Sequence, residues 1–204
     1  MPVHSGGPYN VVEQAPPTNW ALVTGNPCNG TVPTDGNLLC DFTNKYTPPL
    51  AFSTHGGFDY IKIDVPNLNW DAARTAAQGL GSGGWDLATI NSQEEQEFIN
   101  TLLPTLPLPG IVQYWVGGYQ QSGAPEPAGG WFWIGQEDPF TNAPYETGLY
   151  SNWGPGEPNN NFNSATQPQN HLALDNRYGW GWDDNETLAY PVLAGYVASR
   201  VHTP

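Results

Sequence analysis

The sequence predicts a mixed fold in which two short helices come early and several short strands follow, gathered around one very long loop. Three observations carry this. Glycine (24 residues) and proline (21 residues) punctuate the chain so densely that long helices cannot dominate it. Two segments carry helix-start signals, Asn69 ahead of WDAARTAAQGL and Ser92 ahead of QEEQEFINTLLP. Short apolar or alternating runs, each bounded by turn residues, recur from Phe58 onward.

Residues 1–50 are rich in Pro, Gly, Asn and Thr and hold only small apolar clusters, so they read as an extended arm or a few short strands. Cys28 and Cys40 lie here, separated by a short turn-rich loop. A local disulfide is the expected pairing, because two cysteines alone make a poor metal site. The patterned domain, residues 51–204, opens with FDYIKIDV, a strand in which Ile63 and Val65 share a face before Pro66 stops it. Asn69 then caps the first helix, with Asp71 in its first turn, and the helix ends in GLGSGG. WDLATI reads as a buried strand. Ser92 with Glu95 forms a capping box, Phe98, Ile99, Leu102 and Leu103 form one apolar stripe, and Pro104 ends the second helix.

IVQYWVGGY is apolar enough to be a central strand, and WFWIG places Trp131 and Trp133 on one face. An irregular stretch from Gln136 to Gln169 separates it from HLALD, GWGWDD and the closing strand AGYVASR. A loop of that length in a compact domain is ordinarily functional.

Composition excludes several functions. With 19 acidic residues against 5 basic ones and a net charge of −14, there is no basic patch to meet phosphates. Nucleic acid and anionic membrane surfaces are therefore not expected partners. No apolar run approaches the ~20 residues of a membrane span. The histidines (4, 55, 171, 202) sit in no metal-ligand spacing and no Ser or Cys nucleophile is framed by a motif, so the chain does not read as an enzyme. Acceptor patterns for N-glycosylation occur at Asn29 and Asn185.

The stretch from Asn152 to Asp184 concentrates oxygen donors between prolines and tryptophans: Glu157, Asn159, Asn170, Asp175, Asp183 and Asp184. Carboxylate and amide oxygens on a proline-set loop suit a hard cation such as Ca²⁺. Glu137, Asp138 and Glu146, earlier in the loop, read as a solvated face, with ligands to a second Ca²⁺ as the alternative.

From Phe58 to Arg200 these fragments, in order, resemble the C-type lectin-like domain: NWDAARTAA, WDLATINSQEEQEFI, YWVGGY, GGWFWIGQEDPF, SNWGPGEPNN and GWDD. The resemblance implies an α+β double-loop fold with a Ca²⁺-binding long loop. It makes Glu157 and Asn159 ligands flanking a cis Pro158, with Asp183 and Asp184 completing the set and the next ligand falling on Gln169 or Asn170. It implies sugar bound through vicinal hydroxyls, with Glu157, Asn159 and Asp183 meeting them. The Glu-Pro-Asn order goes with mannose, glucose or fucose types. Tyr178 or Trp180 would stand exposed beside the ion, whereas Trp153 and Trp182 would be core. Four cysteines usual in the family are absent, their places falling on Ala77, Ala198, His171 and a residue near Thr187, a departure that resembles prokaryotic or phage members. The expectation is a secreted or cell-surface, Ca²⁺-dependent carbohydrate-binding protein. The alternative is an adhesin-like structural protein assembling into a homo-oligomer or fibre through residues 1–50.

Overall fold

Asn69 and Ser92 cap the two helices. In the computed structural model, residues 50–81, 83–135, 150–161, 168–186 and 191–203 are described in full, together with the backbone of four short strands before them. Asn69 Oδ1 accepts the Ala72 N–H at 2.7 Å and opens α1, Trp70–Gln78, which buries Trp70, Ala73 and Ala77. Ser92 Oγ accepts the Glu95 N–H at 3.1 Å and opens α2, Gln93–Leu102. The capping box is only half closed. Glu95 reaches back to the N–H of Asn91 rather than Ser92, at 2.7 Å, and its other oxygen accepts from Tyr60 Oη at 2.5 Å. A tertiary partner thus diverts the side chain that the local motif would keep.

The chain divides into two units, Met1–Leu50 and Ala51–Pro204. In the first, β1 (Pro8–Val11) and β2 (Trp20–Thr24) pair antiparallel with β3 (Cys28–Thr31) and β4 (Thr43–Tyr46) respectively. The Cys28–Cys40 pairing and the side chain of Asn29 lie outside the described residues, as do Glu137, Asp138 and Glu146.

The second unit holds one mixed sheet. Its strands are β5 (Ser53–His55), β6 (Phe58–Asp64), β7 (Asp86–Leu87), β8 (Gln113–Gln120), β9 (Trp131–Trp133), β10 (His171–Asp175), β11 (Gly181–Asn185) and β12 (Leu193–Val201). The order is β11-β10-β8-β12-β6-β5, with β7 added on β12 and β9 on β8. The pairs are antiparallel except β12 with β8, which is parallel because the last strand inserts between β6 and β8. The apolar run Gln113–Gln120 is indeed central, and it needs Gly117 and Gly118: a Cβ there would meet Ile134 Cγ1 at 2.8 Å and Leu172 Cβ at 2.7 Å.

Two expectations are corrected. The buried part of β6 is Asp59, Tyr60 and Ile61, while Val65 lies beyond the strand and is exposed. Asp59 tolerates burial because Arg200 Nε (3.0 Å), His202 Nδ1 (2.6 Å) and Thr54 Oγ1 (2.8 Å) surround its carboxylate. Trp180 is not exposed: it is 3 % accessible and its ring meets Tyr114 edge-on at 5.9 Å.

The core is aromatic. Trp182 lies at right angles to Trp133, 5.3 Å away, and edge-on to Trp153 at 5.7 Å; Trp131 meets Trp153 at 4.9 Å. Ala77 and Ala198 are fully buried, in a helix and a strand of the same core. His171 packs between Trp70 (4.5 Å) and Trp115 (6.5 Å), and burial pushes its pKa down to about 4. No helix among the described residues is long and apolar enough to cross a membrane.

Candidate metal centre

The segment 150–161 is held against β11 by backbone. Trp182 N–H donates to Asn152 O and Gly154 N–H to Trp182 O, both at 2.8 Å, so the segment runs beside the strand that carries Asp183 and Asp184. A turn closed by Glu157 N–H to Gly154 O (3.0 Å) then lifts Glu157 over that strand. The Glu157–Pro158 bond is cis. Beyond it, the N–H groups of Asn159 and Asn160 donate to the two carboxylate oxygens of Asp184, at 2.9 and 2.6 Å.

These constraints bring one carboxylate oxygen each from Glu157, Asp183 and Asp184 within 4.8 Å of one another. Glu157 and Asp183 line a cavity of about 240 Å³ together with Asn159, Gln169, Gln113 and Arg177, whereas Asp184 is not part of its lining. Glu157 Oε1 accepts from Tyr178 Oη at 2.8 Å, while its Oε2 is buried without a hydrogen-bond partner among the described residues. Gln169 Oε1 and Asn170 Oδ1 are buried without partners in the same way. Gln169 lines the cavity and Asn170 does not.

Buried oxygens without donors are uncommon in folded proteins. Here three carboxylates converge and two of them share a cavity with Gln169, a donor set that fits a hard divalent cation. Nitrogen and sulfur ligands, which a zinc site would favour, are absent from the described lining. Electrostatics agree. Burial, and then the charge of Glu157, hold the Asp183 carboxyl well above the ordinary carboxylate range. Burial raises Asp184 too, against the lowering effect of the Asn159 N–H. Tyr178 is pushed up to about 12 by burial and by its bond to Glu157.

Several residues of the site carry no local signal in the sequence. Gln113, from the start of β8, donates through Nε2 to Asp175 (2.6 Å) and Asp183 (2.7 Å) and accepts from Asn185 Nδ2 at 2.7 Å. Arg177 Nη2 bridges the same two aspartates, at 2.7 and 2.9 Å. One hint was available: Gln113 is polar at the head of an otherwise apolar strand. Asn185 is 7 % accessible with its amide nitrogen committed to Gln113, so in the folded domain it is not available as a glycan acceptor.

No family model matches the sequence. Salivary C-type lectin 2 of Aedes albopictus is 27 % identical over 147 residues, 71 % of this chain and 78 % of that protein. E-selectin of Homo sapiens is 26 % identical over 166 residues, 81 % of this chain but only 24 % of the selectin. The crystal structure of the cow CD23 C-type carbohydrate-recognition domain, with GlcNAc2Man3 oligosaccharide, superposes with a TM-score of 0.54 at 26 % identity. That match covers 78 % of this chain and 98 % of the CD23 domain. The larger unit has the C-type lectin-like fold. The lectin-like domain keeps the α+β architecture of these relatives, which are lectins rather than enzymes.

Proposed function

We propose that the lectin-like domain is a Ca²⁺-dependent carbohydrate-binding module for glycans of mannose, glucose or fucose type, working outside the cell or at its surface. The observation that carries this reading is the convergence of Glu157, Asp183 and Asp184, beside a cavity that Gln169 also lines and with Gln169 Oε1 buried without a donor among the described residues. Glu157, Asp183 and Asp184 would hold the ion, with Asn159 and Gln169 supplying amide oxygens and Asn170 beside them. When bound, Ca²⁺ supplies coordination positions for two neighbouring hydroxyls of a sugar. The chain's own part is to read those hydroxyls: carboxylates at 157 and 183 accept, and the Asn159 amide can donate. The Glu-Pro-Asn order sets this acceptor and donor pattern and supports the mannose, glucose or fucose class. CD23, a structural neighbour, was crystallised with a mannose-containing oligosaccharide, which supports the same class.

Titration calorimetry of the whole chain with Ca²⁺, then with methyl α-mannoside or fucose, tests this. The expected result is one tight Ca²⁺ site and millimolar sugar binding that EDTA abolishes. Sugar binding that survives EDTA, or none in saturating Ca²⁺, would overturn it.

A second reading concerns residues 1–50, which form a separate unit of two short ribbons. Such an arm can pair with a neighbouring subunit and build a homo-oligomer or fibre. Sedimentation of the full chain against a chain lacking residues 1–50 decides it: equal masses remove this role.

A further inference from the structure

Tyr178 links an open groove to the metal centre. Its hydroxyl is bonded to Glu157 of that centre. It also lines the groove, of about 380 Å³, between α2 and the start of the 150–161 segment. We propose that this groove binds the second sugar unit of a glycan whose first unit occupies the metal centre. The proposal rests on the carbohydrate reading above and extends it from a single sugar to a chain.

The chemistry of the lining selects the ligand. Gln93, Glu97 and Asn100 come from one face of α2, and Tyr150, Asn152 and Tyr178 face them. Every one of these side chains offers a hydrogen-bond donor or acceptor. No Lys or Arg lines the groove, so a phosphate, sulfate or carboxylate would find no counter-charge beside Glu97. No aliphatic side chain lines it either, so an apolar ligand would only bury polar groups without compensation. A neutral polyol matches both sides of this donor and acceptor set.

The groove is also built to be rigid. Its floor is Gln96, 3 % accessible, which donates to Asn100 Oδ1 (2.8 Å) and Trp180 O (3.2 Å) and accepts from Trp182 Nε1 (2.7 Å). On the exposed face of α2, Gln93 Nε2 donates to Glu97 Oε1 at 2.7 Å. Trp182 directly precedes Asp183, so one strand anchors both the groove floor and the metal centre. Tyr178 connects the two, lining the groove and donating through its hydroxyl to Glu157 of the metal centre. Polar groups fixed in advance lose little freedom when a ligand meets them.

The test is calorimetry in saturating Ca²⁺ with methyl α-mannoside and with a linear mannotriose, reading the ratio of the two affinities. Two added hydrogen bonds of ordinary strength predict a trisaccharide about tenfold tighter than the monosaccharide. The double variant Gln93→Ala, Asn100→Ala, changed on the solvent side of α2, should bring that ratio below about twofold. A ratio near one in the unaltered chain, or an unchanged ratio in the variant, overturns the groove and leaves the metal centre intact. Failure of both sugars to bind overturns the carbohydrate reading, and the groove with it.

Discussion

The backbone N–H of Asn159 donates to Oδ1 of Asp184 across 2.9 Å, so a candidate metal ligand also anchors the loop that carries the other ligands. The neighbouring N–H of Asn160 takes the second oxygen at 2.6 Å. Two roles on one side chain can be separated by substitution. Asp184→Ala removes both, at about 1.5–3 kcal/mol for each bond to a charged acceptor. Asp184→Asn keeps an acceptor and removes a buried charge. In EDTA the alanine variant should melt below the unaltered chain and the asparagine variant at or above it. Both should lose at least ~100-fold in Ca²⁺ affinity, beyond what a supporting residue costs.

Arg177 supports the site from beneath. Its Nε and Nη2 fork onto Asp175, whose side chain is fully buried, and Nη2 also reaches Asp183. Arg177→Ala strands the Asp175 charge. Breaking a buried pair costs about 3–5 kcal/mol, and because Arg177 is itself partly exposed the loss here should be about 2–3 kcal/mol in urea denaturation. Arg177→Lys should recover less than half of that loss, since an ammonium cannot reproduce the fork.

The acid pair predicts an unusual pH profile. Asp183 and Asp184 titrate above their unfolded value of 3.8 in the folded, metal-free domain. Their contribution to stability is therefore complete below 3.8 and is lost as pH rises through the raised values. His171 acts in the opposite sense, with a folded value near 4 against 6.5 unfolded, so its contribution is lost as pH falls below 6.5. Above pH 6.5 only the carboxylates of this trio titrate. Thermal melts in EDTA should decline from pH 6.5 to 8.5, the decline should vanish in millimolar Ca²⁺, and Asp183→Asn should flatten it.

Gly154 sets the place of Tyr178. A Cβ at Gly154 would lie 2.3 Å from the Tyr178 ring. Gly154→Ala should push the ring aside and break its bond to Glu157, for about 1 kcal/mol of stability. The Tyr178 hydroxyl, held up at about 12 by burial and Glu157, should then titrate closer to its ordinary 10 by ultraviolet absorbance.

Much of this molecule is local. The caps at Asn69 and Ser92, the stop at Pro104, and the Glu157–Asn159 and Asp183–Asp184 pairs are all readable from neighbouring residues. Capping, turn and ligand chemistry act over a few positions, so they leave marks in the linear pattern. What the tertiary structure decided lies across the sheet. Gln113 reaches Asp183 because β10 lies between β8 and β11, in a register that sets Gln113 opposite Asp175. Trp180 turns inward against Tyr114, Glu95 divides its carboxylate between the Asn91 N–H and Tyr60, and Asn185 disappears into a hydrogen bond with a residue 72 positions away. The sequence by itself determined which oxygens could form a metal centre. Only strand order and register decided which donors would hold them in place, because those contacts are set by packing between segments with no local pattern in common.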